Sequence, residues 1–106
     1  MEMSGLNKIR SLVRESAVRF TMHARAEMDA DNVVTSSLMR AISSDSSEVV
    51  EDYPEDRRGH SCLILVWENE ASPIHVCCAV HDETVVIITV YRPRLEVWED
   101  DWRTRK

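Results

Sequence analysis

The sequence predicts an α+β fold: N-terminal helices packed on a four-stranded antiparallel sheet, followed by a short helical tail. Three observations predict it. Apolar residues recur at helical spacing through the first forty or so positions, as in Leu6, Ile9 and Val13. From Glu48 onward the pattern changes to short β-branched runs between polar turns, the clearest being VVIITVYRP from Val85 to Pro93. The connections between these runs are short, as antiparallel pairing requires. Helices first and a meander after make a two-layer domain, and 106 residues hold one core.

Taken in order, residues 5–16 read as an amphipathic helix. Ala17 to Phe20 reads as a short extended link. Thr21 is placed to cap a helix over residues 22–30, with Ala24 and Met28 on its inner face, and Asn32 ends it. Thr35 is expected to cap the next helix, which turns Leu38, Met39 and Ile42 to the core. Ser43–Ser47 has the composition of a loop. The strands are expected at 48–53, 61–67, 74–80 and 85–91. Trp98 and Trp102 are four apart, one helical face of a tail docked on the body.

The net charge of −6 is uneven: residues 26–56 carry nine acidic side chains and one basic, whereas residues 1–25 are net basic. The acidic total opposes non-specific nucleic-acid binding and suits a basic protein partner. Three cysteines, Cys62, Cys77 and Cys78, form neither a C-x-x-C motif nor an even set, which argues against a disulfide framework. No signal-peptide pattern or membrane-length apolar run is present, so the cytoplasm is the natural compartment.

Several residues could carry chemistry. His23 lies in the first turn of its helix with Glu27 four residues on, a pair able to fix an imidazole tautomer for proton transfer. A structural histidine in an ordinary surface pair accounts for the same spacing. Thr89 and Tyr91 share one strand face and could reach a phosphate or a ribose hydroxyl; packing alone also favours both residue types in strands. His75 and Cys77 share a face too, but zinc sites use two such pairs where this chain shows one, so no metal is expected. Arg57 and Arg58 in one turn, and Arg92 and Arg94 after the last strand, could grip phosphates or stand as solvated turn charge. No phosphate-binding glycine loop or nucleophile elbow occurs.

The segments T-x-H-A-R-x-E-M, EDYPEDRR, SCLIL, PIHVCCAV, IITVYRP and W-x-D-D-W-R-T-R-K occur in this order. Together they resemble the bacterial family called domain of unknown function 4258, over residues 20–106, with the helix at residues 5–16 outside it. That family is similar in layout to RelE/ParE and MqsR-like toxins. The resemblance implies a toxin component of a toxin–antitoxin pair that cleaves mRNA without a cofactor. It also implies a zinc-finger antitoxin of the MqsA (YgiT) type as partner. Under it, His23 matches the family's helix histidine, and Arg57 or Arg58, His75, Thr89 and Tyr91 match polar positions of the sheet half. Glu27 stands where many members carry arginine.

Two readings follow. In the first, the protein is a metal-independent endoribonuclease with His23 as general base or acid, Arg57 as charge stabiliser and Thr89 and Tyr91 positioning the phosphate. Arg25, Glu27, Arg58, His75, Arg92 and Arg94 would then line the RNA site. In the second, the domain is a non-catalytic binding module or degenerate toxin that takes a basic protein partner, as the acidic middle suggests.

Overall fold

The computed structural model describes residues 3–57 and 59–106. Three helices, α1 (Met3–Arg14), α2 (Met22–Ala30) and α3 (Thr35–Ser43), share the chain with five strands. The strands are β1 (Val18–Phe20), β2 (Glu48–Tyr53), β3 (Ser61–Asn69), β4 (Ser72–His81) and β5 (Thr84–Tyr91). They form one sheet in the order β1-β5-β4-β3-β2. The four expected strands are present and antiparallel to one another. The N-cap of α3 is Val34, with no side-chain cap bond, and Thr35, expected as the cap, is the first helical residue.

The expected four-stranded antiparallel sheet is corrected to a five-stranded mixed one. The segment read as a link is β1, which pairs in parallel with β5 in the register Val18↔Val85, Arg19↔Val86, Phe20↔Ile87. Only three residues long, it has too few positions for an alternation to stand out. What makes it a strand is the edge of β5: Val85 N–H donates to Ala17 O at 2.9 Å and Thr21 N–H to Ile87 O at 3.0 Å.

One sheet face packs on the helices. Cys62, Ile64 and Val66 of β3, Ile74, Val76 and Cys78 of β4, and Val85, Ile87 and Val90 of β5 meet Leu6, Ile9, Ala24, Met28, Leu38 and Ile42. Period-two alternation puts the β3 and β4 residues on one side, and on β5 the extra residue Ile88, between the pairs Cys78↔Ile87 and Cys77↔Thr89, shifts the parity so that Val90 joins Val85 and Ile87. The serine loop is tied to α1 by Arg10, whose guanidinium donates to Ser47 Oγ (3.0 Å) and Ser47 O (2.7 Å).

The other face is covered by the tail, and here the expected helix is absent. Asp101 takes the amide hydrogens of Arg103 (2.9 Å) and Thr104 (3.0 Å) on its carboxylate, and Trp102 sits at φ 62°. A side chain that captures the backbone two and three residues on sets a turn where a helix would continue. The chain doubles back, with Lys106 N–H donating to Val97 O at 2.8 Å. Docking on the body, the other half of the expectation, is observed. Trp98 is 2 % exposed, and two arginine–carboxylate forks hold the strap to β2. Arg103 grips Glu48 (2.8 and 2.7 Å) and Arg105 grips Glu51 (2.7 and 3.0 Å). The basic C-terminal end thus folds back onto the acidic middle of the chain.

Candidate functional site

β5 is eight residues long, and β1 covers only its first half. Backbone donors further along would face outward without a partner, which is costly where they are part-buried. Helix α2 supplies the acceptors. Val90 N–H donates to Glu27 Oε1 at 2.9 Å, and Arg92 N–H donates to Asp31 Oδ2 at 3.1 Å. Residues four apart on a helix are separated by about 6 Å along its axis, and residues two apart on a strand by roughly 6.6 Å. The two repeats nearly match, so two carboxylates of α2 stand in for the missing strand. Thr21 completes the edge: its hydroxyl donates to Ile88 O (3.0 Å) and accepts from Ala24 N–H (3.0 Å), the expected N-cap.

His23 rests on this scaffold. Its Nε2 lies 3.4 Å from Glu27 Oε2, and its side chain is 69 % exposed. One oxygen of Glu27 is fixed by the β5 backbone while the other faces the imidazole. A carboxylate held this way favours the tautomer with its proton on Nε2 and leaves Nδ1 with the lone pair, the arrangement a general base requires.

Two residues on the N-terminal side of His23, Thr21 lines a cleft of about 310 Å³ together with Arg19, His60, His81, Val86 and Ile88. The floor is apolar strand and the walls are cationic or titratable. His60 Nε2 lies 2.6 Å from Asp52 Oδ1, and His81 Nε2 lies 3.3 Å from Asp82 Oδ2. A concave surface with an apolar floor and a few polar groups on its rim is the usual form of a ligand site. Of the cleft's polar residues, Thr21 was singled out from the sequence only as a helix cap, and Arg19 and His60 were not singled out. Arg19 was hidden in the supposed link, although the outward position between Val18 and Phe20 was its available signal. His60 and His81 come together only through strand pairing.

The other expected site residues divide. Thr89 and Tyr91 do share a face with Cys77 and His75, opposite one another in the register Cys77↔Thr89 and His75↔Tyr91. That end lies under the strap. His75 is fully buried; its Nε2 is 2.8 Å from Trp102 O, and its Nδ1 is 3.0 Å from Tyr91 Oη. A carbonyl only accepts, so Nε2 carries the proton, Nδ1 accepts, and the Tyr91 hydroxyl donates. Burial pushes the His75 pKa below its ordinary value and the Tyr91 pKa above its own. His75 is therefore not a solvent-facing binding residue, as expected from sequence, but the centre of a closed network with Trp98 packed edge-on 4.4 Å away.

Arg92 is likewise structural. Its Nε donates to Asp31 O (2.9 Å), its Nη2 to Asn32 O (3.3 Å), and its Nη1 pairs with Glu68 (3.0 Å), which locks the end of α2 to β3. Arg25 lies 4.3 Å over the Phe20 ring and donates to Thr35 Oγ1 at 3.3 Å. Arg94 is exposed beside Glu96 (3.5 Å). Arg57 is exposed in the β2–β3 turn, at the sheet end where β5 begins. Tyr91 ends that strand roughly 23 Å away, so Arg57 and Tyr91 do not form one site. Arg58 lies outside the described residues. Among the described residues no group of three or more His, Cys, Asp or Glu is placed to hold a metal, and no helix is long and apolar enough to cross a membrane.

Comparison with known proteins adds one finding. Residues 20–92 match the model of a family described as Domain of unknown function (DUF4258). The match contains α2, α3, β2 to β5, His23, Glu27 and the cleft residues other than Arg19, and leaves out α1, all of β1 but Phe20, and the strap. No curated protein and no solved structure matches at a significant level.

Proposed function

The chain belongs to the DUF4258 family, and on that premise we propose that it is the toxin component of a toxin–antitoxin pair, an endoribonuclease that cleaves mRNA at the edge of β5. The observation that carries this reading is the imidazole of His23 beside a carboxylate anchored by Val90 N–H, next to a cleft that contains Arg19. Nδ1 of His23 takes the proton of a ribose 2′-hydroxyl. The 2′-oxygen attacks the adjacent phosphorus, the P–O5′ bond breaks, and the 5′-oxygen leaves with the proton that His23 gives up again, yielding a 2′,3′-cyclic phosphate and a 5′-hydroxyl. Arg19, in the adjoining cleft, would offset the charge that develops on the phosphoryl oxygens. Exposed bases could lie on the apolar floor made by Val86 and Ile88. All groups in this scheme come from the protein and the RNA, so cleavage should survive chelators. The partner that restrains it would be a zinc-finger antitoxin of the MqsA (YgiT) type, and the compartment the cytoplasm.

The acidic composition, the main objection to RNA binding, weakens as the acids find partners. Glu48 and Glu51 are paired with Arg103 and Arg105, and Glu27 and Asp31 are engaged by backbone amides. A second reading, a non-catalytic module for a basic partner, is favoured by the closed His75–Tyr91 network and the distant Arg57. Inducible expression in bacteria separates the two. Growth arrest with mRNA loss for the wild type, absent in His23→Ala, supports the nuclease. Normal growth and intact RNA with the wild type would sink it in favour of the module.

A further inference from the structure

Between α1 and the sheet lies a cavity of about 420 Å³, lined by Leu6, Ile9, Val49 and Val80 together with Cys62 and Cys78. The two cysteines are directly opposed on β3 and β4. Cross-strand partners point to the same face with their Cβ atoms about 5 Å apart, close to the span that a disulfide bridges. We infer that Cys62 and Cys78 form a peroxide-reactive dithiol, in which Cys62 attacks peroxide in the cavity and Cys78 resolves the product as a cross-strand disulfide.

The roles follow from the surroundings. Cys62 keeps a small exposure to the cavity, at 9 %, whereas Cys78 is fully buried. The neighbouring Cys78 thiol lowers the Cys62 pKa, and Cys62 together with burial raises that of Cys78. The thiolate is the nucleophile in such chemistry. Cys62 sulfur attacks one oxygen of hydrogen peroxide, the O–O bond breaks, and hydroxide leaves with the proton lost from the Cys62 thiol, as water. The resulting sulfenic acid is attacked by the Cys78 sulfur, the S–O bond breaks, and the hydroxyl leaves with the Cys78 proton as a second water. Two thiols are oxidised by two electrons and one peroxide is reduced to two waters. The lining is mostly apolar, with Lys8, Asp52, His60 and Ser61 also on it, and the volume leaves room for a small oxidant.

Cys77 is an internal control. It is adjacent in sequence to Cys78 but on the opposite sheet face, across from Leu63 and Thr89. The inference stands apart from the RNA reading and does not depend on it.

The test is peroxide treatment of the purified full chain, followed by denaturing alkylation and peptide mapping. Of the three cysteines, only Cys77 should remain alkylatable, and a fragment pair linked through Cys62 and Cys78 should appear and vanish on reduction. Cys78→Ala should stop at a Cys62 sulfenic acid that a dimedone probe traps; Cys77→Ser should oxidise as the wild type does. The wild-type map decides alone if a variant fails to fold. Three alkylatable thiols after treatment, a bridge that includes Cys77, or Cys62 oxidised to sulfinic acid beside an unmodified Cys78 would each overturn the inference.

Discussion

Replacing Glu27 by alanine removes the acceptor of the Val90 amide, at a position where no strand can take over. A hydrogen bond to a charged acceptor contributes roughly 1.5–3 kcal/mol. Glu27 is about one quarter exposed, its side chain at 26 %, so water can reach part of the vacated space and the lower half of that range applies. The helix propensity of alanine returns only a few tenths of a kcal/mol. A loss of about 1.5–2 kcal/mol is expected, which for a domain of this size lowers the melting temperature by roughly 6–10 °C. Glu27→Gln keeps a carbonyl oxygen where Oε1 was and should cost less than about 1 kcal/mol. His23→Ala removes an exposed partner and should stay within about 0.5 kcal/mol of the wild type. Thermal and urea unfolding followed by circular dichroism measure all three. If Glu27→Ala melted with the wild type, or if His23→Ala fell as far as Glu27→Ala, the carboxylate would not be standing in for a strand, and the scaffold proposed for His23 would fail.

Further outcomes follow from the strap and its network. Trp98→Ala should destabilise by roughly 3–5 kcal/mol, as loss of a buried aromatic does; an unchanged urea midpoint would mean the tail is not packed on the sheet. Hydrogen bonds from Arg103 and Arg105 hold the carboxyls of Glu48 and Glu51 below their ordinary value of 4.5. Their contribution is therefore present above about pH 4.5 and lost as the pH falls through the depressed folded-state values. The Arg103→Ala/Arg105→Ala variant should show a shallower acid limb than the wild type, and equal limbs would contradict the forks. For His75, burial holds the folded-state pKa below 6.5, so the unfolded chain binds more protons below that pH and stability declines as it falls. An NMR titration midpoint for His75 above 6.5 would refute its sealed environment.

The parts of the fold written in local pattern were legible, and the parts made by long-range pairing were not. The four strands of the meander and the cap at Thr21 could be read because alternation and N-cap chemistry are local. β1 could not, since Val18–Phe20 becomes a strand only by meeting Val85–Ile87 far along the chain. The tail misled for a different reason: a four-residue spacing of Trp98 and Trp102 fits a helix, but Asp101 captures the amides of Arg103 and Thr104 just beyond them, and Arg103 and Arg105 lead the chain elsewhere. At the candidate site, the His23–Glu27 pair was legible as an i,i+4 spacing. Glu27's bond to Val90 was not, nor was the closure of His75 by Trp102 O, because both join segments far apart in sequence. Glu27 is thus one of the residues that fasten α2 to the sheet.

The most direct test of the central claim is end-group analysis of RNA incubated with the purified chain in the presence of a chelator, with His23→Ala and Glu27→Gln in parallel. The account predicts fragments with 2′,3′-cyclic phosphate and 5′-hydroxyl ends from the wild type, a loss of about 10²–10⁴-fold in rate for His23→Ala, and a smaller loss for Glu27→Gln with its fold retained. Intact RNA with the wild type, or equal cleavage by His23→Ala, would contradict it.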